Sequence, residues 1–130
     1  MQDSIFTKIV RGEIPAHKIY EDDKTLAFLD IHPLVSGHVL VIPKTQVEFL
    51  WDLADDDYAA VMETTRRVAR RLLEVTGEPH VHLSVVGTDV PHAHVHVMPF
   101  TSSAELHHPQ DMSADPDHAS LADLAARLAF

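Results

Sequence analysis

The alternation of apolar and polar positions predicts five strands, three before a long helical segment and two after it. A polar turn at residues 22–24 separates the first two strands, and the third is nearly all apolar, as is typical of a strand buried on both faces. The predicted strands are HKIYEDD (17–23), TLAFLDI (25–31), GHVLVIP (37–43), HVHLSVV (80–86) and HAHVHVMPF (92–100). The third strand is therefore expected at the centre of a sheet, and the last two as hairpin partners across a GTDVP turn.

Two short helices are predicted near the ends of the chain. The first lies in SIFTKIVRGEIP (4–15), where Ser4 or Asp3 can cap it. The second is the amphipathic segment SLADLAARLA (120–129). Residues 101–117 are rich in Ser, His, Pro and Asp, which predicts an irregular segment between the last strand and the last helix.

The long helix is predicted from about Asp55 to Val75. Its apolar residues recur at spacings of three and four, so they form one stripe that can be buried. The stripe comprises Tyr58, Val61, Met62, Thr65, Val68, Ala69 and Leu72. Acidic residues stand at its N-terminal end and arginines toward its C-terminal end, as the helix dipole favours. Strands on both sides of one long helix, with short terminal helices, predict an α+β domain around a mainly antiparallel sheet.

Length, charge and cysteine content limit the class of protein. A chain of 130 residues with 45% hydrophobic residues is expected to form one domain, residues 1–130, with its motifs in about 4–100 and a variable tail at 101–130. The formal net charge of −10 disfavours broad contact with nucleic acid. No apolar run approaches the roughly 20 residues that span a bilayer. The absence of cysteine fits a cytoplasmic location, and a small phosphorylated ligand is compatible with the charge.

Three histidines alternate with apolar residues in PHAHVHVMPF: His92, His94 and His96. On a strand they would share one face, about 6.5 to 7 Å apart. They could be solvated strand residues, or ligands of a catalytic metal, since His-x-His can offer two nitrogens to zinc. They could also be a nucleophile and its proton-transfer partners, because the pKa of imidazole lies near neutral pH. The alternation alone does not decide among these interpretations.

The chain resembles the histidine triad (HIT) family, whose mark is His-x-His-x-His followed by two apolar residues. The matching segment is HAHVHVM (92–98), and the resemblance extends over about the first 100 residues through GEIP, FLDIHP and GHVLVIPK. It is greatest for the Hint-like branch of nucleoside phosphoramidases and nucleotide hydrolases. The resemblance implies a HIT fold and an enzyme that acts on nucleotides.

The resemblance also assigns roles to four histidines and one carboxylate. His94 would be the nucleophile that attacks the α-phosphorus and forms a nucleotidyl-histidine, which water then hydrolyses. His96 would contact the leaving group and help to protonate it, while His92 and His38 would orient the nucleophile. Asp30 would accept hydrogen bonds from the ribose hydroxyls.

Apolar positions and one loop match the family's base and phosphate sites. The base-binding positions correspond to Ile5, Phe6, Ile9, Phe28, Leu29 and Ile31. By themselves these residues would be assigned to the core, and both roles are compatible at a pocket wall. The phosphate-binding positions correspond to Thr88, Asp89 and Val90, in a loop that is shorter than the family's and lacks its Gln and Asn. Because a carboxylate repels phosphate, Asp89 is expected to contribute its backbone.

Many relatives carry Cys-x-x-Cys where this chain has Ser4 and Thr7, and that cysteine pair helps to bind zinc. Hydroxyls are poor zinc ligands beside thiolates. We therefore expect neither a structural zinc nor any other cofactor. His38 and His92 are the residues that could still act as partial ligands.

The expected function is cleavage of purine nucleoside 5'-phosphoramidates, or related nucleotidyl conjugates, at the α-phosphate. Two alternatives are a dinucleoside polyphosphate hydrolase and a nucleotide-binding or scaffold protein with little turnover. HIT proteins are commonly dimeric through the long helix and a sheet edge. Here Met62, Thr65 and Ala69 are small or adaptable residues in the helix stripe, so a two-fold symmetric homodimer is expected.

Overall fold

The computed structural model of the protein describes residues 2–130. Its strands and α-helices follow the predicted order. They are α1 (Ile5–Val10), β1 (Lys18–Glu21), β2 (Thr25–Leu29), β3 (Val39–Pro43), α2 (Asp55–Thr76), β4 (His80–Ser84), β5 (Val95–Phe100) and α3 (His118–Leu128). Single turns of 3-10 helix lie at Leu50–Asp52 and Ser103–Leu106.

The strands form one five-stranded sheet with the order β1-β2-β3-β5-β4. Every neighbouring pair in this sheet is antiparallel. The apolar strand β3 lies at the centre and is buried throughout, as predicted. β4 and β5 pair as predicted, but the connection between them runs from residue 85 to 94 and is longer than the expected GTDVP turn. The α+β class with an antiparallel sheet is confirmed.

The two faces of the sheet are covered unequally. Because side chains alternate along a strand, Val39 and Val41 of β3 face α2 and α3, whereas Leu40 and Ile42 face α1. The first face carries the larger core, to which α2 contributes Val61, Val68 and Leu72. Within residues 2–130, the second face is covered by the short helix α1, by the segments that contain Ile14 and Val90 and by tail residues 106–110, so there is room for a site beside α1.

The predicted stripe of α2 is correct for its central residues and wrong at its margins. Val61, Thr65, Val68 and Leu72 are buried, whereas Tyr58 is exposed. The Thr65 hydroxyl donates to the backbone oxygen of Val61 within the helix (2.8 Å). Thr65 therefore belongs to the chain's own core and is not available for helix packing in a dimer. Within residues 2–130, no helix combines the length and apolar character that crossing a membrane requires.

The structure corrects the predicted start of β5 and the predicted burial of Ile5, and it identifies Ser4 as the cap of α1. Strand β5 begins at Val95, so His92 and His94 precede it and only His96 lies on it. In α1 the cap is Ser4, whose Oγ accepts the N–H of Thr7 (3.0 Å). Phe6 and Ile9 are buried, but Ile5 is 49% exposed because it precedes Phe6 by one residue, about 100° around the helix.

Candidate active site

The histidines predicted to act together are in contact. The ring centroid of His96 lies 5.1 Å from that of His94 and 5.2 Å from that of His38. The edge of the Phe6 ring packs against the His94 ring at a centroid distance of 5.1 Å. His38 immediately precedes β3, and β3 pairs with β5 so that Leu40 lies opposite His96. The two central strands therefore bring His38 and His96 together, while α1 closes the site on the side of His94.

The protonation of His94 follows from its hydrogen bond. Its Nδ1 lies 2.7 Å from the backbone oxygen of His92. A carbonyl oxygen can only accept, so Nδ1 carries the proton. In the neutral ring, Nε2 then has a free lone pair, which is the form that a nucleophilic imidazole requires.

His38 and His96 form a relay with a defined direction. The backbone N–H of Leu34 donates to Nδ1 of His38 (3.1 Å), so His38 carries its proton on Nε2. Nε2 of His38 lies 2.9 Å from Nδ1 of His96 and donates to it. His96 therefore carries its own proton on Nε2.

Burial lowers the pKa of His38. Burial, followed by the neighbouring His38 and His94, lowers the pKa of His96 to about 4. Both rings are thus neutral at neutral pH.

The same relay argues against a catalytic metal. Ligand atoms of Asp30, His38 and His96 lie within 4.8 Å of one another. A histidine ligand needs a lone pair on the coordinating nitrogen, with the other nitrogen donating its proton to an acceptor. His38 has the opposite arrangement, because its Nδ1 accepts the N–H of Leu34 and its Nε2 holds the proton. In this arrangement His38 cannot be a ligand through Nε2.

Asp30 lies beside the relay, and a tail residue contacts it. Its Oδ2 is 3.7 Å from Nε2 of His38, and its Oδ1 accepts the backbone N–H of His32 (2.8 Å). The side-chain amide of Gln110 donates to Oδ2 of Asp30 (3.0 Å) and to the backbone oxygen of His32 (2.7 Å). Sequence reasoning missed Gln110, and nothing in the surrounding tail sequence marks it, because its partner lies 80 positions away.

The apolar positions predicted to hold a base fall into three groups. Phe6, Ile9 and Phe28 belong to one buried cluster, which also contains Leu26, Leu40 and Ile42. Ile5 and Ile31 are 49% and 40% exposed. Leu29 does not join them, because alternation along β2 turns it toward the core on the α2 side. There it lines a cavity of about 560 Å³ between residues 31–38 and α3, which touches none of the triad histidines.

The predicted phosphate loop lies next to the triad. Thr88 and Asp89 are exposed, and Val90 packs against the cluster of Phe6 and Phe28. Asp89 also lines a cavity of about 260 Å³ that contains His38 and His96. The remaining residues around this cavity come from β4, β5 and the tail: His82, Ser84, Met98, Leu106, His108, Pro109 and Gln110, with Leu34 and Val86 at its margin. The tail thus forms one wall of the space beside His96.

His92 differs from the other two triad histidines because both of its nitrogens are occupied. Its side chain is 0% exposed, and its Nε2 donates to the backbone oxygen of Pro43 (2.8 Å). Its Nδ1 faces the hydroxyl of Ser4 (2.8 Å). Burial lowers the pKa of His92, so the ring is neutral. His92 can therefore hold its neighbours in place but has no free nitrogen for a ligand.

A neutral imidazole pair that lines a cavity, a carboxylate beside that pair and a neighbouring imidazole with a free nitrogen define a site for nucleophilic and acid–base chemistry. The sequence matches the HIT domain family over residues 11–102. The chain belongs to the HIT family, and HIT proteins bind nucleotides and are generally nucleotide hydrolases or transferases.

Known proteins similar to this chain agree with that assignment. It is 38% identical over 106 residues to an uncharacterized HIT-like protein of Borreliella burgdorferi, covering 76% of each chain. It is 35% identical over 102 residues to a protein of Arabidopsis thaliana named adenylylsulfatase HINT3, covering 75% of this chain and 52% of the plant protein. The crystal structure of a zinc-bound histidine triad family protein from Mycobacterium smegmatis superposes with a TM-score of 0.79 at 33% identity, covering 95% of this chain and 91% of the other.

Proposed function

We propose that this protein is a nucleotide hydrolase or transferase that cleaves purine nucleoside 5'-phosphoramidates or related nucleotidyl conjugates at the α-phosphate. The observation that carries the proposal is the hydrogen bond from Nδ1 of His94 to the backbone oxygen of His92 (2.7 Å). That bond places the proton of the neutral His94 ring on Nδ1, so that Nε2 keeps its lone pair, and the ring lies 5.1 Å from that of His96. Membership of the HIT family supports the same chemistry.

The reaction proceeds in two displacements at phosphorus. Nε2 of His94 attacks the α-phosphorus, the bond from phosphorus to the leaving atom breaks, and a nucleotidyl-histidine forms. The negative charge of the bound phosphate favours uptake of a solvent proton by His96, and the resulting imidazolium gives a proton to the leaving atom and returns to the neutral ring. Water then attacks the phosphorus and gives its proton to His96, the bond between phosphorus and His94 breaks, and the nucleoside monophosphate leaves.

Nucleotide recognition is proposed at Asp30 and on two exposed apolar side chains. Asp30 can accept hydrogen bonds from the two ribose hydroxyls once the Gln110 amide gives up its bond to Oδ2. Ile5 and Ile31, which are 49% and 40% exposed, are the apolar side chains proposed to contact the base, while Phe6 and Phe28 are buried and meet edge to face at 5.6 Å. The backbone of residues 88–90 is the proposed phosphate contact.

The test is a substrate panel combined with trapping of the intermediate. Adenosine 5'-phosphoramidate, adenosine 5'-phosphosulfate and a diadenosine polyphosphate are incubated with the protein, and release of AMP is measured. The similarity to adenylylsulfatase HINT3 is the reason to include the phosphosulfate. Rapid acid-free quenching should yield a phosphorus–nitrogen adduct that maps to His94. An adduct on His96, or AMP binding without any turnover of the panel, would contradict the proposal and favour a nucleotide-binding protein.

We also propose a homodimer formed through α2 and the edge of the sheet at β4. In the described part of the chain, residues 2–130, β4 pairs only with β5, so its other edge is open, and Leu83, Val85 and Val86 beside it are exposed. Light scattering at micromolar concentration should return twice the chain mass of 14.5 kDa. A monomer mass would contradict this part of the proposal and leave the chemistry untouched.

A further inference from the structure

Four polar side chains meet beneath α1, on the side of the triad away from the cavity. Ser4 and Thr7 come from the start of α1, Gln46 follows β3, and His92 precedes β5. Ser4, Thr7 and His92 are buried, and Gln46 is half-buried. Their polar atoms form a chain of contacts: Oε1 of Gln46 lies 2.6 Å from Oγ1 of Thr7, which lies 3.3 Å from Oγ of Ser4. Oγ of Ser4 in turn lies 2.8 Å from Nδ1 of His92. We call these four residues the helix-side cluster.

The two hydroxyls and the imidazole of the helix-side cluster each have an acceptor for their hydrogen. His92 gives its Nε2 proton to the backbone oxygen of Pro43, so its Nδ1 must accept, and the Ser4 hydroxyl donates to it (2.8 Å). The Thr7 hydroxyl donates to Oε1 of Gln46 (2.6 Å), and the backbone N–H of Ser4 donates to the same oxygen (2.9 Å). The amide of Gln46 in turn donates to the backbone oxygen of Gln2 (2.9 Å).

The helix-side cluster is a poor match for zinc. It offers one nitrogen and three neutral oxygens, whereas structural zinc sites use thiolates and imidazoles. None of its four groups is anionic. The Ser4 and Thr7 hydroxyl protons point at other members of the cluster and satisfy them, so no set of lone pairs converges on a common point. The residues that replace a cysteine pair therefore bind one another.

We propose that Gln46, acting with Ser4 and Thr7, is a positioning residue that holds the triad in a metal-free clamp. Gln46 fixes Ser4 and Thr7 from one side, Ser4 fixes the ring of His92, and the backbone oxygen of His92 orients His94 by accepting its Nδ1 proton (2.7 Å). The expected effect on turnover rests on the proposed role of His94 as the nucleophile. The clamp itself, and its independence from metal, do not rest on that role.

The kinetic test distinguishes the effect of the hydrogen-bond acceptor on Gln46 from the effect of the size of its side chain. Gln46→Leu removes the oxygen that accepts from Thr7 and Ser4, and kcat should fall roughly tenfold with KM changed by less than about twofold. Gln46→Glu keeps an oxygen acceptor at the same place and should recover most of that loss. Thr45→Ala, at the exposed neighbouring position, is the matched control and should be unchanged. Full kcat in Gln46→Leu, or equal impairment in the Leu and Glu variants, would overturn the positioning role.

The structural test does not depend on activity. In ¹⁵N spectra of the imidazoles, His92 should carry its proton on Nε2 and none on Nδ1, with no change after treatment with a chelator. The wild-type protein from zinc-supplemented cells should contain no stoichiometric zinc. The variant Ser4→Cys, Thr7→Cys, Gln46→His places two thiolates and a second imidazole around His92 and should hold about one zinc per chain. One zinc in the wild type, or none in the triple variant, would overturn the clamp. If His94 proves not to be the nucleophile while both spectral and metal results hold, only the proposed function fails.

Discussion

Two polar clusters on opposite sides of the triad use the same kind of side chain for different purposes. The helix-side cluster is closed, because both nitrogens of His92 are hydrogen-bonded to the protein. The pocket-side cluster consists of Asp30, His38 and His96, and its two histidines line a cavity of about 260 Å³. There the relay from His38 leaves the Nε2 proton of His96 without a hydrogen-bond partner among residues 2–130. The position of the second nitrogen therefore decides whether a histidine in this protein supports structure or is free for chemistry.

His94 lies between the two clusters and depends on both. Its Nδ1 is held by the backbone of His92, and its ring contacts His96 on the other side at 5.1 Å. Variants on the helix side should therefore act mainly on stability and geometry. Variants on the pocket side should act mainly on binding, proton transfer and pH dependence.

The largest expected effect is the loss of the nucleophile. His94→Ala should lower kcat by about a thousandfold or more, because the covalent route disappears and water must attack directly. The variant should keep its fold and its affinity for AMP, since Asp30 and the Phe6 cluster are unchanged. Turnover of adenosine 5'-phosphoramidate and AMP binding by calorimetry are the two measurements. His107→Ala, at an exposed position in the tail, is the control. Normal turnover of His94→Ala would show that His94 is not the nucleophile, and the two clusters could then not be distinguished by their effects on it.

The acid dependence of stability should be the next largest effect, and it tests the pocket side. The pKa of His96 falls from 6.5 to about 4 in the folded chain, mainly through burial. Between these two pH values the unfolded chain binds a proton that the folded chain does not, so stability falls as the pH decreases through this window. After allowance for partial exposure, His96 alone should contribute a loss of about 2 kcal/mol. Below the folded pKa both states are protonated and its contribution stops changing.

Urea unfolding at a series of pH values measures this dependence. His38 and His92 act in the same direction, because burial lowers the pKa of each. His96→Asn keeps an acceptor for the Nε2 proton of His38 and cannot titrate, so it should flatten the curve between pH 6.5 and 4. A curve as steep as that of the wild type would show that His96 is not the titrating group.

The strands, the helices and the histidine triad were predictable from local sequence, whereas the long-range contacts that surround the site were not. The central position of β3 follows from its continuous apolar run, and α2 follows from its spacing, because both patterns report burial directly. The start of β5 at Val95 does not follow from the alternation, which continues unchanged through the bend at Pro91 and His92 and the irregular residues 93 and 94. The contacts of Gln46 with Ser4 and of Gln110 with Asp30 join positions 42 and 80 residues apart. No local pattern encodes such contacts, since they depend on how the finished sheet brings distant loops together.

A smaller effect is expected when the helix-side cluster loses one hydroxyl. Ser4→Ala removes the acceptor of the backbone N–H of Thr7 and the nearer partner of Nδ1 of His92, which keeps only the Thr7 hydroxyl at 3.3 Å, and both groups are buried. Leaving buried polar groups unpaired should lower the free energy of unfolding by about 1.5 kcal/mol at neutral pH. Denaturant unfolding with Ser113→Ala, an exposed tail serine, as control measures the difference. An unchanged midpoint would mean that the helix-side cluster does not stabilise the fold.

The smallest expected effect is on nucleotide affinity at the pocket side. Asp30→Asn keeps the size of the side chain and its acceptance of the His32 N–H, but replaces a charged acceptor by a neutral one. Binding of AMP should weaken by roughly fivefold to tenfold, or about 1 kcal/mol, since hydrogen bonds to a charged partner are stronger than neutral ones. The same change should weaken the binding of 2'-deoxy-AMP less, because only the 3'-hydroxyl can then contact residue 30, and comparing AMP with 2'-deoxy-AMP isolates the contribution of the 2'-hydroxyl. Calorimetry gives both affinities. Equal weakening for the two nucleotides would place the effect of Asp30 on its neighbour His38, 3.7 Å away, rather than on the ribose.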